Sequence, residues 1–298
     1  MDARSCDVRV FERYPWEGGG VRLALTLTVL KFVGSAAIAA VGFAVLYLVF
    51  VRTHGGQLVD QLAFNGADVG ERSVAPVANA LLDAVPAVAG FVGLVLTVVI
   101  TIARRNWGTA LVAIGAAGAA ALTTQLLKLV FLDRPDLQVD GYADNSFPSG
   151  HTTVAAASAL AVFLVSSPST RARVAGWGTL FTILAGLSTL ANGWHRPSDA
   201  IAALLVVAFW GCLAGAVITL MRPSAVTAAA PGPRTTGRWW IVVPFLVVTT
   251  IAFLITYLGA RSDQSVVGLI AYIGGAAAIV TAGCALALLA TRTFARLP

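Results

Sequence analysis

The chain is poor in charged residues. Only 11% of its 298 residues are charged and 58% are hydrophobic, with a mean hydropathy of +0.83. An ordinary soluble domain carries about 25% charged residues. The composition therefore excludes a disordered chain, a coiled coil and an ordinary soluble enzyme. It indicates a membrane protein with several spans.

Cysteine, lysine and histidine are also scarce. The three cysteines, Cys6, Cys212 and Cys284, lie far apart, and no CxxC or Cys/His spacing indicates a metal site. We therefore expect no disulfide, no bound metal and no cofactor. Lys31 and Lys128 are the only two lysines. A lysine beside a motif consequently carries more information here than in most chains.

Eight apolar runs are long enough to be candidate spans, since a span needs about 20 apolar residues to cross about 30 Å of hydrocarbon. They cover about 23–51, 84–103, 108–131, 151–167, 174–192, 199–221, 239–259 and 267–290. The predicted fold is all-α. A cytoplasmic N-terminal tail (1–22) precedes a six-span core (23–221), a polar cytoplasmic linker (222–238) and a two-span C-terminal hairpin (239–298). Gly115, Gly118, Gly274 and Gly275 are small residues suited to close helix packing.

The arginines give the orientation. If the N-terminus is cytoplasmic, thirteen fall inside: Arg4, Arg9, Arg13, Arg22, Arg104, Arg105, Arg171, Arg173, Arg222, Arg234, Arg238, Arg292 and Arg296. Five fall outside: Arg52, Arg72, Arg134, Arg196 and Arg261. Cytoplasmic loops are enriched in basic residues, so we expect both termini in the cytoplasm. The net charge of +6 then reflects topology, and no nucleic-acid partner is expected.

The loop after the third predicted span carries two unusual motifs. It contains Lys128 and the pair Arg134-Pro135, and it ends in Pro148-Ser149-Gly150-His151, which opens the fourth span. Backbone N–H groups at a helix N-terminus attract anions. Gly150 lets a ligand approach the backbone, and arginine can grip a phosphate with two hydrogen bonds.

The loop after the fifth span carries the second group, at the same predicted membrane face. His195 and Asp199 are four residues apart at the start of the sixth span, so a helix places them on one face. The carboxylate can then fix the imidazole tautomer, as a nucleophile and its orienting group require. Together the two loops indicate phosphoryl transfer without a metal.

These motifs resemble the type 2 phosphatidic acid phosphatase superfamily, which includes bacterial acid phosphatases and vanadium haloperoxidases. Its pattern is K-x6-R-P, then P-S-G-H, then S-R-x5-H-x3-D, on a six-helix core. The resemblance covers about 20–221 and implies that His195 attacks phosphorus, Asp199 orients it and His151 protonates the leaving group. It further implies that Lys128, Arg134 and the N–H groups of Ser149 and Gly150 hold the phosphoryl oxygens.

Two positions depart from the pattern. Lys128 and Arg134 are separated by five residues instead of six, and Thr189 stands where the pattern has its second arginine. Arg196, next to His195, is a candidate replacement for that arginine in binding phosphate.

The function expected from the resemblance is a metal-independent phosphatase in a bacterial plasma membrane. It would hydrolyse a lipid phosphate or an isoprenyl or other lipid diphosphate at the extracytoplasmic face, through a phosphohistidine. Two alternatives stay open: a phosphoryl or phospholipid transferase on the same core, and a non-catalytic carrier or assembly protein. The expected partners are the lipid substrate and membrane lipid, and the sequence leaves the oligomeric state open.

Overall fold

The computed structural model describes residues 15–67, 76–139, 145–223, 236–259, 264–295 and 297. Within these residues the chain is helical and contains no strand, in line with the all-α prediction. The α-helices are α1 (Pro15–Leu46), α2 (His54–Asn65), α3 (Pro76–Arg104), α4 (Trp107–Leu126), α5 (Gly150–Val165), α6 (Pro168–Ala191), α7 (Pro197–Met221), α8 (Val242–Gly259) and α9 (Gln264–Thr293). Short π-helical turns extend α1 over Tyr47–Val51 and α4 over Leu127–Phe131, and a 3-10 helix, Thr236–Ile241, precedes α8.

Six helical segments are long and apolar enough to cross a membrane, so the protein is a multi-pass membrane protein. They are Arg22–Val51, Trp107–Phe131, Pro168–Ala191, Pro197–Met221, Arg238–Gly259 and Val266–Thr293. The second and fourth predicted spans are also helical, but their described apolar stretches, Val88–Arg104 and Gly150–Val165, are shorter. The eight-span count and the cytoplasmic termini stay predictions. Most of the predicted tail and linker lies outside the described residues.

Small side chains allow the core helices to approach closely. Helix α5 lies among α3, α4, α6 and α7, and α1 packs along α7. At the α1–α7 contact the ring of Phe32 is fully buried and lies directly over Gly215. A methyl group added at Gly215 would overlap this ring. The seam therefore depends on a residue without a side chain.

Helix α2 is an element that the sequence reading missed. It begins at His54, and the hydroxyl of Thr53 caps it by accepting from the Gly56 N–H at 3.1 Å. The helix has 12 residues, too few to cross the bilayer. Its face bearing Gln57, Asp60 and Gln61 is buried.

The C-terminal hairpin packs against the rest of the chain. Helix α9 contacts α2, α6 and α7 in addition to α8. Gly274 lies against Ala252 of α8 and Gly275 against Pro197 of α7, so these two glycines have the predicted packing role. For Gly115 and Gly118 the packing prediction is wrong within the described structure, where no described atom lies within 4 Å of an added methyl group.

We expect Gly215→Ala to lower the stability of the protein, because the new methyl group overlaps the buried Phe32 ring. Overpacking of this kind costs about 1–3 kcal/mol. Gly118→Ala is the matched control in another span, and its open surroundings should leave stability within about 1 kcal/mol of the wild type. Thermal unfolding in detergent measures both. Equal melting temperatures for the two variants would contradict the close α1–α7 contact.

Candidate active site

The two histidines of the predicted motifs lie together where α5 and α7 begin. Their ring centroids are 5.8 Å apart and their planes are inclined at 63°. The Ser149 N–H donates to the Asp199 carbonyl at 3.0 Å, which ties the start of α5 to the first turn of α7. Trp194 packs beside His151 with its ring centroid at 5.1 Å. Residues that are 44 positions apart in the sequence thus share one site.

His195 is oriented by the carboxylate of Asp199. Its Nδ1 lies 3.3 Å from Asp199 Oδ2, and both side chains are buried. Because an ionised carboxylate only accepts hydrogen bonds, this contact assigns the proton to Nδ1. The Nε2 lone pair is then the one available for attack.

Asp199 is held by two further donors. Its Oδ2 accepts from the Arg196 backbone N–H at 3.0 Å and from the Ser146 hydroxyl at 2.5 Å. Helix α7 begins at Pro197, so Arg196 is its N-cap and Asp199 is its third residue. The Asp199 carboxylate therefore accepts from the backbone N–H of the N-cap, as in a capping box. The carboxylate is therefore fixed by the local helix start and by the loop that precedes α5.

Gly150, the first residue of α5, has few close neighbours from other parts of the chain. The buried Ser149 hydroxyl caps the helix by accepting from the Thr152 N–H at 3.3 Å. A methyl group added at Gly150 would meet only Gln125 Nε2, at 3.5 Å. A ligand can therefore reach the backbone here. Of the two N–H groups predicted to bind phosphate, that of Ser149 is already donated to Asp199.

The predicted cations occupy three different positions. Lys128 is half-buried in the π-helical turn, and Asn145 Nδ2 donates to its carbonyl at 3.2 Å and to that of Leu132 at 3.0 Å. Arg134 is buried, with its NH2 3.9 Å from Asp60 Oδ2. The Asn145 contacts bring the described ends of the loop together at the backbone of Lys128 and Leu132.

The guanidinium of Arg196 turns toward α2. Its Nε and NH2 donate to Gln61 Oε1 at 2.9 and 2.7 Å, and its NH1 donates to the Ser146 hydroxyl at 3.0 Å. It also stacks over the Phe64 ring, 5.3 Å from the centroid. Only 2% of this arginine is exposed. These contacts favour a supporting role for Arg196 over the predicted phosphate contact.

Asp60 and Gln61 are site residues that the sequence reading missed. Asp60 accepts from the Ser198 N–H at 3.1 Å and from the Ser198 hydroxyl at 2.6 Å. Burial, followed by the charge of Asp199, raises the pKa of Asp60 to about 6, although Arg134 opposes the shift. A signal was present, because Gln57, Asp60 and Gln61 have the i, i+3, i+4 spacing of one helix face.

The arrangement combines the groups that phosphoryl transfer needs. It provides an oriented imidazole, a second imidazole, cationic side chains and a helix N-terminus. No three His, Cys, Asp or Glu side chains come close enough to hold a metal ion anywhere in the described ranges. The chemistry that the site can perform with its own residues is nucleophilic attack on an anionic phosphorus centre.

Comparison with known proteins supports the resemblance. Residues 106–225 match the PAP2 superfamily, and this segment contains every predicted motif. The chain is 38% identical over 82 residues to the undecaprenyl-diphosphatase BcrC of Bacillus subtilis (strain 168). That similarity covers 27% of this chain and 39% of BcrC. No solved structure matches the chain. The resemblance predicted from the motifs is thus confirmed for this part of the chain.

The raised pKa of Asp60 predicts a pH-dependent stability. A carboxyl group whose pKa rises on folding stabilises the native state below the pKa of the unfolded chain, and this contribution is lost as the pH rises to about 6. A change in pKa from the ordinary value of 3.8 to about 6 corresponds to on the order of 3 kcal/mol. We expect Asp60→Asn to lack this loss in thermal unfolding measured between pH 4 and pH 7. Asp133→Asn removes an exposed carboxylate and is the control. The same pH dependence in the wild type and in Asp60→Asn would contradict the assignment.

Proposed function

Starting from the match of residues 106–225 to the PAP2 superfamily, we propose that the protein is a membrane phosphatase that cleaves a lipid phosphate or an isoprenyl diphosphate. The observation that carries the proposal is the pair of facing imidazoles, one of them fixed by a buried carboxylate. This arrangement supplies a nucleophile and a proton donor to the same phosphorus centre.

The proposed reaction has two steps. In the first, His195 Nε2 forms a bond to phosphorus while the bond from phosphorus to the leaving oxygen breaks, and His151 gives that oxygen a proton. In the second, His151 takes a proton from water, the water oxygen attacks phosphorus, and the bond to His195 breaks. Asp199 stabilises the positive charge on His195 in the intermediate.

Charge on the phosphoryl oxygens is the main quantity to be stabilised in such a reaction. We assign this role to Arg134, Lys128 and the Gly150 N–H, as the resemblance implies. Arg134 is buried, and charge pairs in a site sheltered from water interact more strongly than in bulk water. Asp60 forms an ion pair with Arg134, and the N–H and hydroxyl of Ser198 donate hydrogen bonds to the Asp60 carboxylate.

The lipid nature of the substrate is supported by the relative and by the position of the site. The relative is named an undecaprenyl-diphosphatase, and the present site lies where two apolar helices of a membrane protein begin. An isoprenyl diphosphate places its charged head at such an interface and its tail among the helices. The distribution of arginines supports the extracytoplasmic side of a bacterial plasma membrane for this head group.

Phosphate release by detergent-purified protein tests the proposal. We would offer isoprenyl diphosphates, phosphatidic acid and phosphatidylglycerol phosphate, each with and without EDTA. Release should be insensitive to EDTA, and His195→Ala should lower kcat at least about a thousandfold because the nucleophile is lost. His151→Ala should lower kcat by a factor of about 100 or more, the usual contribution of a general acid.

His54→Ala is the control at the third histidine, which is exposed and whose Nδ1 contacts the Leu137 carbonyl at 2.8 Å. It should retain activity within about threefold of the wild type, as expected of a surface substitution. Full activity of folded His195→Ala would overturn the mechanism. Absence of release from every substrate by folded wild-type protein would overturn the phosphatase proposal in favour of a transferase or a non-catalytic protein.

The side of the membrane can be tested by labelling single cysteines. In a background where Cys6, Cys212 and Cys284 are replaced by serine, we would compare Gln138→Cys in the loop between α4 and α5 with Arg105→Cys between α3 and α4. Both positions are exposed and both have a positive φ, at 61° and 50°. A membrane-impermeant thiol reagent added to intact cells should label the first variant and spare the second. The reverse pattern would contradict the extracytoplasmic site.

A further inference from the structure

A chain of hydrogen bonds connects α2 to Asp199 and His195. It runs from Gln61 to Arg196, then to Ser146 and to Asp199, whose carboxylate holds His195. Each link lies between 2.5 and 3.3 Å. Three separate parts of the chain contribute: helix α2, the loop before α5 and the start of α7.

The donor and acceptor roles along this chain are fixed by chemistry. A guanidinium only donates, so the Ser146 oxygen accepts from Arg196. The hydroxyl has one proton, which it donates to Asp199 Oδ2 at 2.5 Å. Gln61 must then present its carbonyl oxygen to Arg196, and its Nε2 donates to Asn65 Oδ1 at 2.8 Å. The orientation of every group is thereby determined.

We propose that Gln61, Arg196 and Ser146 are positioning residues that set the orientation of Asp199 and, through it, of His195. This inference rests on the proposed function. It replaces the expectation that Arg196 binds the substrate phosphate, because the guanidinium is buried and directed to Gln61 and Ser146. These residues would then affect the reaction rate through the alignment of the nucleophile, and not through the binding of the substrate.

The burial of Arg196 explains why a partner on α2 is required. A buried guanidinium without acceptors is costly, and Gln61 Oε1 takes two of its N–H groups. Because the guanidinium is planar, the bonds from Nε and NH2 to Gln61 also direct NH1 to Ser146, and NH1 cannot rotate independently. Loss of the Gln61 oxygen therefore loosens Ser146 as well.

The test compares Gln61→Met, Gln61→Glu and Ser146→Ala. Gln61→Met conserves volume but removes the oxygen acceptor, whereas Gln61→Glu keeps an acceptor for Arg196. Small misalignments of reacting groups can cost up to about a hundredfold in rate. We expect Gln61→Met and Ser146→Ala each to lower kcat about tenfold with KM within about twofold, and Gln61→Glu to retain most of the wild-type kcat.

The double variant Gln61→Met/Ser146→Ala separates a connected chain from two independent defects. Members of one network are not additive. The double variant should therefore be about as slow as the slower single variant, whereas independent effects would multiply to roughly a hundredfold. All rates are measured on the monodisperse protein fraction. Gln57→Leu removes another buried glutamine of α2 and controls for loss of folding. It should lower the melting temperature, and in a double variant with Ser146→Ala its effect on kcat should multiply with that of Ser146→Ala.

The outcomes distinguish this inference from the proposed function. An active wild type and an inactive His195→Ala, together with normal kcat for Gln61→Met and Ser146→Ala, would overturn the inference alone. A raised KM with unchanged kcat in these variants would overturn it in favour of direct phosphate binding. If the wild type and His195→Ala are equally inactive, the proposed function fails and the inference fails with it.

Discussion

The buried carboxylate of Asp199 is the constraint on which the site depends. A carboxylate removed from water destabilises the folded state by several kcal/mol unless it is paired and hydrogen-bonded. Here a backbone N–H, a hydroxyl and an imidazole converge on one of its oxygens. Each donor belongs to an element that must be correctly placed for the fold to be stable. The same contacts that satisfy Oδ2 of Asp199 also orient His195, so stability and reactivity share one set of hydrogen bonds.

Helix α2 extends this principle to the cations. Arg134 and Arg196 are both buried, and α2 offers an ion-pair partner to the first, Asp60, and a hydrogen-bond acceptor to the second, Gln61. Asp60 also receives the first turn of α7 through Ser198. Burial raises the pKa of Asp60, and the nearby charge of Asp199 adds to this shift while Arg134 opposes it. The short helix therefore supplies partners to both buried arginines and to the first turn of α7.

The sequence was sufficient for those parts of the site that local rules control. The spacing of His195 and Asp199 predicts that the imidazole and the carboxylate meet, and Ser149 before Gly150 predicts a helix start, and both are observed. The predicted shared helix face is wrong, because α7 begins at Pro197 and His195 lies before it. The role of α2 was out of reach, because its polar face is explained only by arginines that come from distant loops. The direction of the Arg196 side chain was equally hidden. It follows from a glutamine 135 residues away in the sequence and from no local preference.

The C-terminal hairpin, which lies beyond the matched family segment, packs against two of the helices that carry site residues. Helix α9 places Gly275 directly against Pro197, the first residue of α7, and packs Val267 and Ala271 against Leu62 and Ala63 of α2. Both helices that hold Asp60, Gln61, Arg196 and Asp199 are therefore braced by the same neighbour. Because packed interiors tolerate little displacement, a shift of α9 would move α2 and the start of α7. The hairpin thus extends the rigid framework around the catalytic pair to the C-terminal end of the chain.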